Sequence, residues 1–555
     1  MFVRIKTTPN SPRKSVQIVQ SVRKADRISQ KIVRHVGIAH DEQELKQLKD
    51  LAESIKIKLE ADNQYLLFGP EEISRLRTKE TKHEQEEDYK VNLKNLKEEQ
   101  RVVSGIHDIY GSLFDSLGYK NIIKNPARYK ADIKIFRDIV LARIANPQSK
   151  RASVDMLEED FGISIDLNRV YQMMDKLDET AIERLNDLAY KNTSDLFKGK
   201  IDVIFFDCTT LYFETFEEDE FRKNGYSKDL KFNQPQVLLA LMVTKEGLPV
   251  GYKAFEGSTY EGHTLIPILK ELKKKYILDK VIFVADAGML NEPNITELEA
   301  EKIEYVVGMR LKNLPKKLQS CILDHGNYKE VKGIEKDEYK IGEFEHKGRR
   351  IIVNYSARRA RKDAGDREKA VEKLRKKLLK QKNPKEYMSN YGNRKYLKVD
   401  GNVSIELNDE KIEKASRWDG LHGVVTNAEN LSEQEILKQY NHLWEVENAF
   451  RITKHDLKVR PVFHWKPRRV KAHIAIAFVS YSVVKYLEYR VRLQHRKMSP
   501  EKIRQCLVRV QTSVLYDNVK RIRYGLPSRI TQDARKIYKI CNVTQKLTPF
   551  IIKKM

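Results

Sequence analysis

The chain is poor in the residues that mark secreted, zinc-bound or membrane proteins. Only four cysteines occur in 555 residues, Cys208, Cys321, Cys506 and Cys541. They are too widely spaced for a disulfide framework, and with the histidines they form no ligand cluster. Structural zinc is therefore not expected, and a reduced cytosol is the natural setting. The opening Met1-Phe2-Val3-Arg4-Ile5-Lys6 lacks the apolar core of a signal peptide. The longest apolar stretch, residues 474–487, is short and interrupted by Ser and Lys, which predicts a buried helix and no membrane span.

Negative charge is the minority sign. Lys and Arg total 105 against 79 Asp and Glu, a formal charge of +26. Such an excess creates a long-range field that favours a polyanion, nucleic acid foremost. A ribosome-associated or merely basic protein would carry the same charge.

The texture of the chain divides it. Residues 1–62 read as a small α+β module, with alternating runs (Val16-Gln17-Ile18, Lys31-Ile32-Val33) and then Leu45, Leu48, Leu51 and Ile55 at helical spacing. Residues 63–101 read as a charged linker or solvated helix, most strongly over 78–101. Residues 102–195 have helical periodicity. Within them, residues 153–160, Gly162 and residues 167–177 fit a helix-turn-helix whose second helix displays Asn168, Arg169, Gln172 and Lys176 to phosphates or base edges. A packed helical hairpin with a glycine between the helices is the more common origin of this pattern.

Two aspartates follow buried strands. Asp207 ends the run Val203-Ile204-Phe205-Phe206, and Asp286 ends Val281-Ile282-Phe283-Val284-Ala285. Short β-branched and aromatic runs, apolar on both faces, predict strands covered on both sides. In open α/β sheets the functional crevice lies at the carboxyl ends of strands. Alone, such an aspartate is more often a solvated cap or turn residue than a metal ligand. Asp202, before its strand, and Asp456, at a helix end, are weaker rivals.

The elements from 197 to 311 are ordered strand (203–207), hairpin (236–243, 249–255), helix (264–276), strand (281–286), helix (295–302) and strand (305–309). This order resembles the ribonuclease H-like α/β fold. Its last helix is delayed by residues 312–428, read as an inserted β-rich domain around a Lys/Arg-dense helix, and the core resumes over 429–490. Residues 491–555 are a basic C-terminal region. Trp418, in Arg417-Trp418-Asp419-Gly420, is either a core residue of the insert or a base-stacking wedge.

The awaited helix is predicted over 432–457. At roughly 100° per residue, Tyr440, Glu447 and Lys454 stack along one line, with Arg451 one turn beyond Glu447. Val446, Phe450 and Leu457 form an apolar stripe beside that line, able to pack on the sheet. An ordinary surface helix with a Glu–Arg pair is the competing reading.

The run from Tyr440 to Lys454, Tyr-Asn-His-Leu-Trp-Glu-Val-Glu-Asn-Ala-Phe-Arg-Ile-Thr-Lys, resembles the Tyr-(2)-Arg-(3)-Glu-(6)-Lys signature of the insertion-sequence-four superfamily of bacterial DDE transposases. Tyr440, Glu447 and Lys454 are in register, and Leu443 stands at the arginine position. The runs Asp207-Cys208-Thr209-Thr210-Leu211-Tyr212-Phe213-Glu214, Ala285-Asp286-Ala287-Gly288-Met289 and Lys454-His455-Asp456-Leu457-Lys458-Val459-Arg460-Pro461-Val462 resemble one branch of that group. The resemblance extends from the N-terminal module to about Leu487.

It implies a ribonuclease H-like core in which Asp207, Asp286 and Glu447 hold Mg²⁺, with Mn²⁺ as a substitute, in a two-ion site with spacing of about 4 Å. It implies cleavage at the ends of an insertion sequence by water, then attack of the freed 3′-hydroxyl on target DNA. The implied partner is double-stranded DNA, bound by a homodimer in the bacterial cytoplasm, at the nucleoid. Candidate DNA contacts are Tyr440, Arg451 and Lys454, with Arg169 and Lys176 upstream. Two other classes share these features: a nuclease that cuts without joining, and an inactive DNA-binding relative.

Overall fold

A computed structural model describes the chain apart from residues 1, 8–13, 25–26, 40–43, 46–47, 54, 57–90, 226–232, 276–280, 290, 332–336, 381–395, 401–403, 460–461 and 553–555. The chain opens with an antiparallel sheet of β1 (Phe2–Thr7), β2 (Lys14–Lys24) and β3 (Arg27–Ala39). Val16, Ile18 and Val36 of this sheet are buried, with Leu48 packed beside them.

β4 (Leu96–Val103) corrects the expected linker or solvated helix over 78–101, of which 78–90 lie outside the described residues. Its charged residues are mostly exposed, so its side chains look solvated while its backbone is in a ladder. After short helical turns over residues 107–121, four longer helices follow, Lys130–Ala145, Lys150–Phe161, Leu167–Met174 and Glu179–Leu196. Gly162, at φ 67°, closes the second of them in the left-handed region that glycine enters without steric cost.

The central sheet begins with β5 (Val203–Tyr212), β6 (Gln236–Val243), β7 (Pro249–Glu256), β8 (Ile282–Ala285) and β9 (Glu304–Met309). β10 (Lys329–Glu330), β11 (Tyr339–His346) and β12 (Arg349–Ser356) come next. β13 (Leu397–Asp400) and β14 (Ser404–Leu407) make a ladder of their own, and β15 (Leu421–Thr426) returns to the central sheet. The sheet has nine strands, in the order β10-β11-β12-β15-β9-β8-β5-β6-β7. Strands from the stretch read as an insert thus lengthen the central sheet, β15 lying beside β9. β5, β8 and β9 are parallel, and their near-continuous apolar sequences suit strands covered on both faces.

Alternation along the strands sorts two cores. Ile204, Phe206, Phe283 and Ala285 face the helices Leu265–Lys275 and Glu292–Ala300. Val203, Phe205, Ile282 and Val284 face a larger core that also takes in the N-terminal sheet, the four upstream helices and the C-terminal elements. At its centre is the helix Pro467–Gln494, 28 residues long. By length and composition it would cross a bilayer, unlike the short stretch expected, but 94% of its most apolar window is buried within the protein. Burial, not shortness, makes it a core helix.

The single helix expected over 432–457 is broken. The first segment is Glu433–Asn441, started by a Ser432–Glu435 capping box, and the second is Trp444–Arg451, which runs into a π-helical turn, Ile452–Asp456. Between them the chain turns at His442 and Leu443, and Leu443 is buried. The break lets Ile436 and Leu437 as well as Val446, Ala449 and Phe450 reach the sheet, which one straight helix would not allow on a twisted surface.

The chain ends in β16 (Gln511–Asp517), β17 (Ile522–Pro527) and β18 (Phe550–Ile552), ordered β18-β17-β16-β4. The C-terminal region is therefore the partner that β4 needs.

Candidate active site

The parallel ladder between β5 and β8 ends at the pair Phe206↔Ala285. Asp207, still within β5, and Asp286, just past the end of β8, are the next residues along the chain. Asp207 does not end its strand as expected, because β5 continues to Tyr212 against β6. It stands one residue past the point where the ladder to β8 ends. By the period-2 rule Asp207 shares the face of Phe205, and Asp286 is reached on that side by the Tyr440 hydroxyl of the broken helix. That face is the one covered by the broken helix.

The second segment of that helix lays Val446, Ala449 and Phe450 on the sheet over β5 and β6. Glu447, one residue on from Val446, is exposed at its flank. The first segment brings Tyr440 to Asp286, and its hydroxyl donates to Asp286 Oδ1 at 3.3 Å. Burial, and next the charge of Asp286, pushes the Tyr440 hydroxyl well above its ordinary pKa, so it stays a donor. Asp207 Oδ1 accepts the Cys208 backbone N–H at 2.7 Å. The ring of His422 packs 5.0 Å from Tyr440, and burial holds its pKa down at about 4, so it is neutral near pH 7.

Gly308 on β9 makes the approach of Tyr440 possible. A Cβ there would fall 2.3 Å from the Tyr440 hydroxyl oxygen and 3.0 Å from the Ala287 nitrogen. Glu261 is a neighbour that local sequence did not single out. A Cβ on Gly288 would lie 3.5 Å from Glu261 Oε2 and 4.0 Å from Asp286 Oδ2, so the two carboxylates flank one glycine. Its only sequence signal is an acidic residue ahead of the helix Leu265–Lys275.

Among the described residues, no three His, Cys, Asp or Glu side chains are close enough to enclose an ion by themselves. Asp207 is half-buried, while Asp286 and Glu447 are exposed. Oxygen donors so arranged suit a hard divalent cation that takes its remaining ligands from water and a phosphate, as Mg²⁺ prefers. The donor chemistry fits such a cation.

The other expected contacts are distributed unevenly. Arg451 is exposed; its Nη2 donates to Asn448 Oδ1 at 2.8 Å and its Nη1 lies 3.8 Å from Asp456. Lys454 is half-buried in the π-helical turn, so the straight line through Tyr440, Glu447 and Lys454 does not survive the break at Leu443. Arg169, Asn168 and Gln172 are exposed on the helix Leu167–Met174. Lys176 is turned inward, 2.7 Å from the buried Asp132 and 4.3 Å from the Tyr129 ring centre. This ion pair braces the helices and engages the ammonium, while part of the side chain stays exposed. Trp418 is half-buried against the core under the central sheet, with Lys312 5.8 Å from its ring, which favours the core reading. Asp202 is exposed before β5, and its carbonyl accepts the Ile282 N–H.

Residues 198–483 match the protein family described as Transposase DDE domain. No curated protein matches the chain. Among solved structures, the chain is similar to the piggyBac transposase in a synaptic complex with hairpin DNA, at 11% identity and a TM-score of 0.36, over 73% of this chain and 76% of that one. It is also similar to the Mos1 transposase in a paired-end complex with the left transposon end, at 15% identity and a TM-score of 0.14, over 28% of this chain and 53% of that one.

Proposed function

The chain belongs to the Transposase DDE domain family, and from that premise we propose that it cuts DNA at the ends of a mobile element and joins the freed 3′-hydroxyls to target DNA. The observation that carries this reading is the placement of Asp207 and Asp286 one residue beyond the last β5–β8 pair, on the face covered by the helix that bears Glu447. In this reading the three carboxylates are the catalytic residues and hold Mg²⁺ or Mn²⁺. The central sheet is the ribonuclease H-like core, and Tyr440, Glu447 and Lys454 carry the signature of the insertion-sequence-four group.

Asp207, Asp286 and Glu447 would hold the divalent cation, which when bound would supply Lewis-acid polarisation of the scissile phosphate and acidify the attacking water. The chain's own residues prepare the site. Tyr440 holds Asp286 in one orientation through a neutral hydroxyl, and neutral His422 backs Tyr440 without adding charge. Water attacks phosphorus and the P–O3′ bond breaks, leaving a 3′-hydroxyl. That hydroxyl then attacks a target phosphate, where one P–O3′ bond forms as another breaks. The count of phosphodiester bonds is unchanged in this second step, so no energy source is required. Double-stranded DNA is the substrate that a charge of +26 favours. We assign end recognition to the helical region 102–195 and propose a homodimer as the end complex, acting in the bacterial cytoplasm.

Asp207→Asn, Asp286→Asn and Glu447→Gln should each abolish Mg²⁺-dependent nicking of a plasmid carrying the element's ends, with end binding largely kept. Each change removes a ligand charge and little volume. Substantial nicking by a purified variant would remove that residue from the site. Nicking without joined product by the unsubstituted protein would reduce the function to hydrolysis.

A further inference from the structure

A cavity of about 410 Å³ lies between the helix-turn-helix pair and the chain that leaves the glutamate helix. Its walls include Ser149 and Lys150 at the start of the helix Lys150–Phe161, Tyr171 on the next helix, and His464 and His473 from the far side. Arg151 and Lys458 are exposed at its rim. Among the described residues no Asp or Glu lines it.

The chemistry of this cavity is one-sided. Lys150 is only 5% exposed, and among the described residues its ammonium makes one hydrogen bond, to His473 Nδ1 at 3.4 Å. That tautomer follows from the other ring nitrogen, which donates to the Val459 carbonyl at 3.0 Å. An ammonium has three protons, so two remain for another acceptor. Arg143 stands behind His473, fully enclosed, donating to the carbonyls of Leu457 and Lys458 at 2.8 and 3.1 Å. Lys458 adopts φ 42°, a costly conformation for a lysine. Burial first, and then the charge of Arg143, lowers the Lys150 pKa well below its ordinary value, and no carboxylate opposes the shift. Buried positive charge without an anion is expensive. The Ser149-capped helix N-terminus adds further positive potential at the same place.

We propose that this cavity seats a phosphate group of the DNA backbone, with Lys150 as its principal ligand and Lys458 and Arg151 closing over it. The inference rests on the proposed action on DNA and goes beyond the acidic site. One wall belongs to the helix-turn-helix and the other to the segment following Glu447, so a phosphate held here would fix one relative to the other.

The test uses the full chain, a labelled duplex carrying an element end, and inorganic phosphate. In Lys150→Met the logarithmic salt slope of duplex binding should fall by about one unit. Its melting temperature in phosphate-free buffer should be unchanged or higher, because an uncompensated buried charge has gone. Lys458→Asn, which keeps a residue tolerant of positive φ, should also lower the slope. An unchanged slope in both variants overturns the proposal. A lower melting temperature for Lys150→Met with an unchanged slope makes Lys150 a structural residue. If inorganic phosphate raises the melting temperature of the unsubstituted protein but not of Lys150→Met, while both bind DNA with equal slopes, the site takes free phosphate and the backbone source is wrong. Failure of the unsubstituted protein to bind duplex at all would defeat the functional reading itself, and this inference with it.

Discussion

Gly308 lacks a side chain at the point where the Tyr440 hydroxyl needs the space. Gly308→Ala should push Tyr440 off Asp286 and lower the nicking rate by about tenfold to a hundredfold, the scale at which small misplacements act. Kinetics on a plasmid substrate would show it, and an unchanged rate would mean that Tyr440 does not position Asp286. A second residue-scale expectation concerns Glu445. Burial raises its pKa from 4.5 to about 7, with Lys485 acting in the opposite sense. A raised carboxylate contributes stability that is complete below about 4.5 and lost as pH climbs through about 7. Glu445→Gln stays neutral throughout, so it should melt close to the parent at pH 4 and higher than the parent at pH 8. The gain is at most about 3 kcal/mol. Equal melting temperatures at both pH values would place Glu445 in water.

The elements owe much of their form to partners distant in the chain. β4 is sparse in apolar residues, yet it is a strand because β16 completes its backbone bonds across residues 96–103 and 511–517. β16 is interior to its sheet, pairing with β17 on one side and β4 on the other. Val514→Pro, opposite Gly525 and Gln100, should therefore destabilise the protein by about 3 kcal/mol or more. Thermal denaturation followed by circular dichroism measures this, and a near-parental melting temperature would contradict the pairing. The broken glutamate helix follows the same logic. Its periodicity is continuous through Leu443, but burying Leu443 and two apolar faces on one sheet outweighs the hydrogen bonds lost at the turn.

At the scale of the molecule, charge and core decide different things. The excess of basic residues bears on partners and solubility. The core bears on what can be removed. Changes in texture near residue 197 suggest a unit able to stand alone from there. The larger core joins Ile18, Phe114, Phe136 and Leu185 to Phe205, Phe450, Tyr481 and Ile537 without interruption. Deleting residues 1–198 would strip the helix Pro467–Gln494 of much of its cover, and the fragment should be aggregated or loosely packed. Size-exclusion chromatography and near-ultraviolet circular dichroism would reveal this. A monodisperse, cooperatively melting fragment would show that the core divides after all.

What the sequence by itself determined is local. Apolar runs placed Asp207 and Asp286 beside buried strands, Gly162 marked a turn, and the order of strands and helices from 203 to 309 was legible, because each depends on residues a few positions apart. It stopped short at Asp207, since nothing in Val203-Ile204-Phe205-Phe206 shows that β6 carries the strand on to Tyr212 after β8 has ended. Only the tertiary structure decided which face those aspartates share, that Tyr440 bonds Asp286, that Lys176 turns inward to Asp132, and that Lys150, His464 and His473 surround one cavity. Those facts arise from pairings between residues far apart in the chain. Local periodicity records that a face must be buried, but not what buries it.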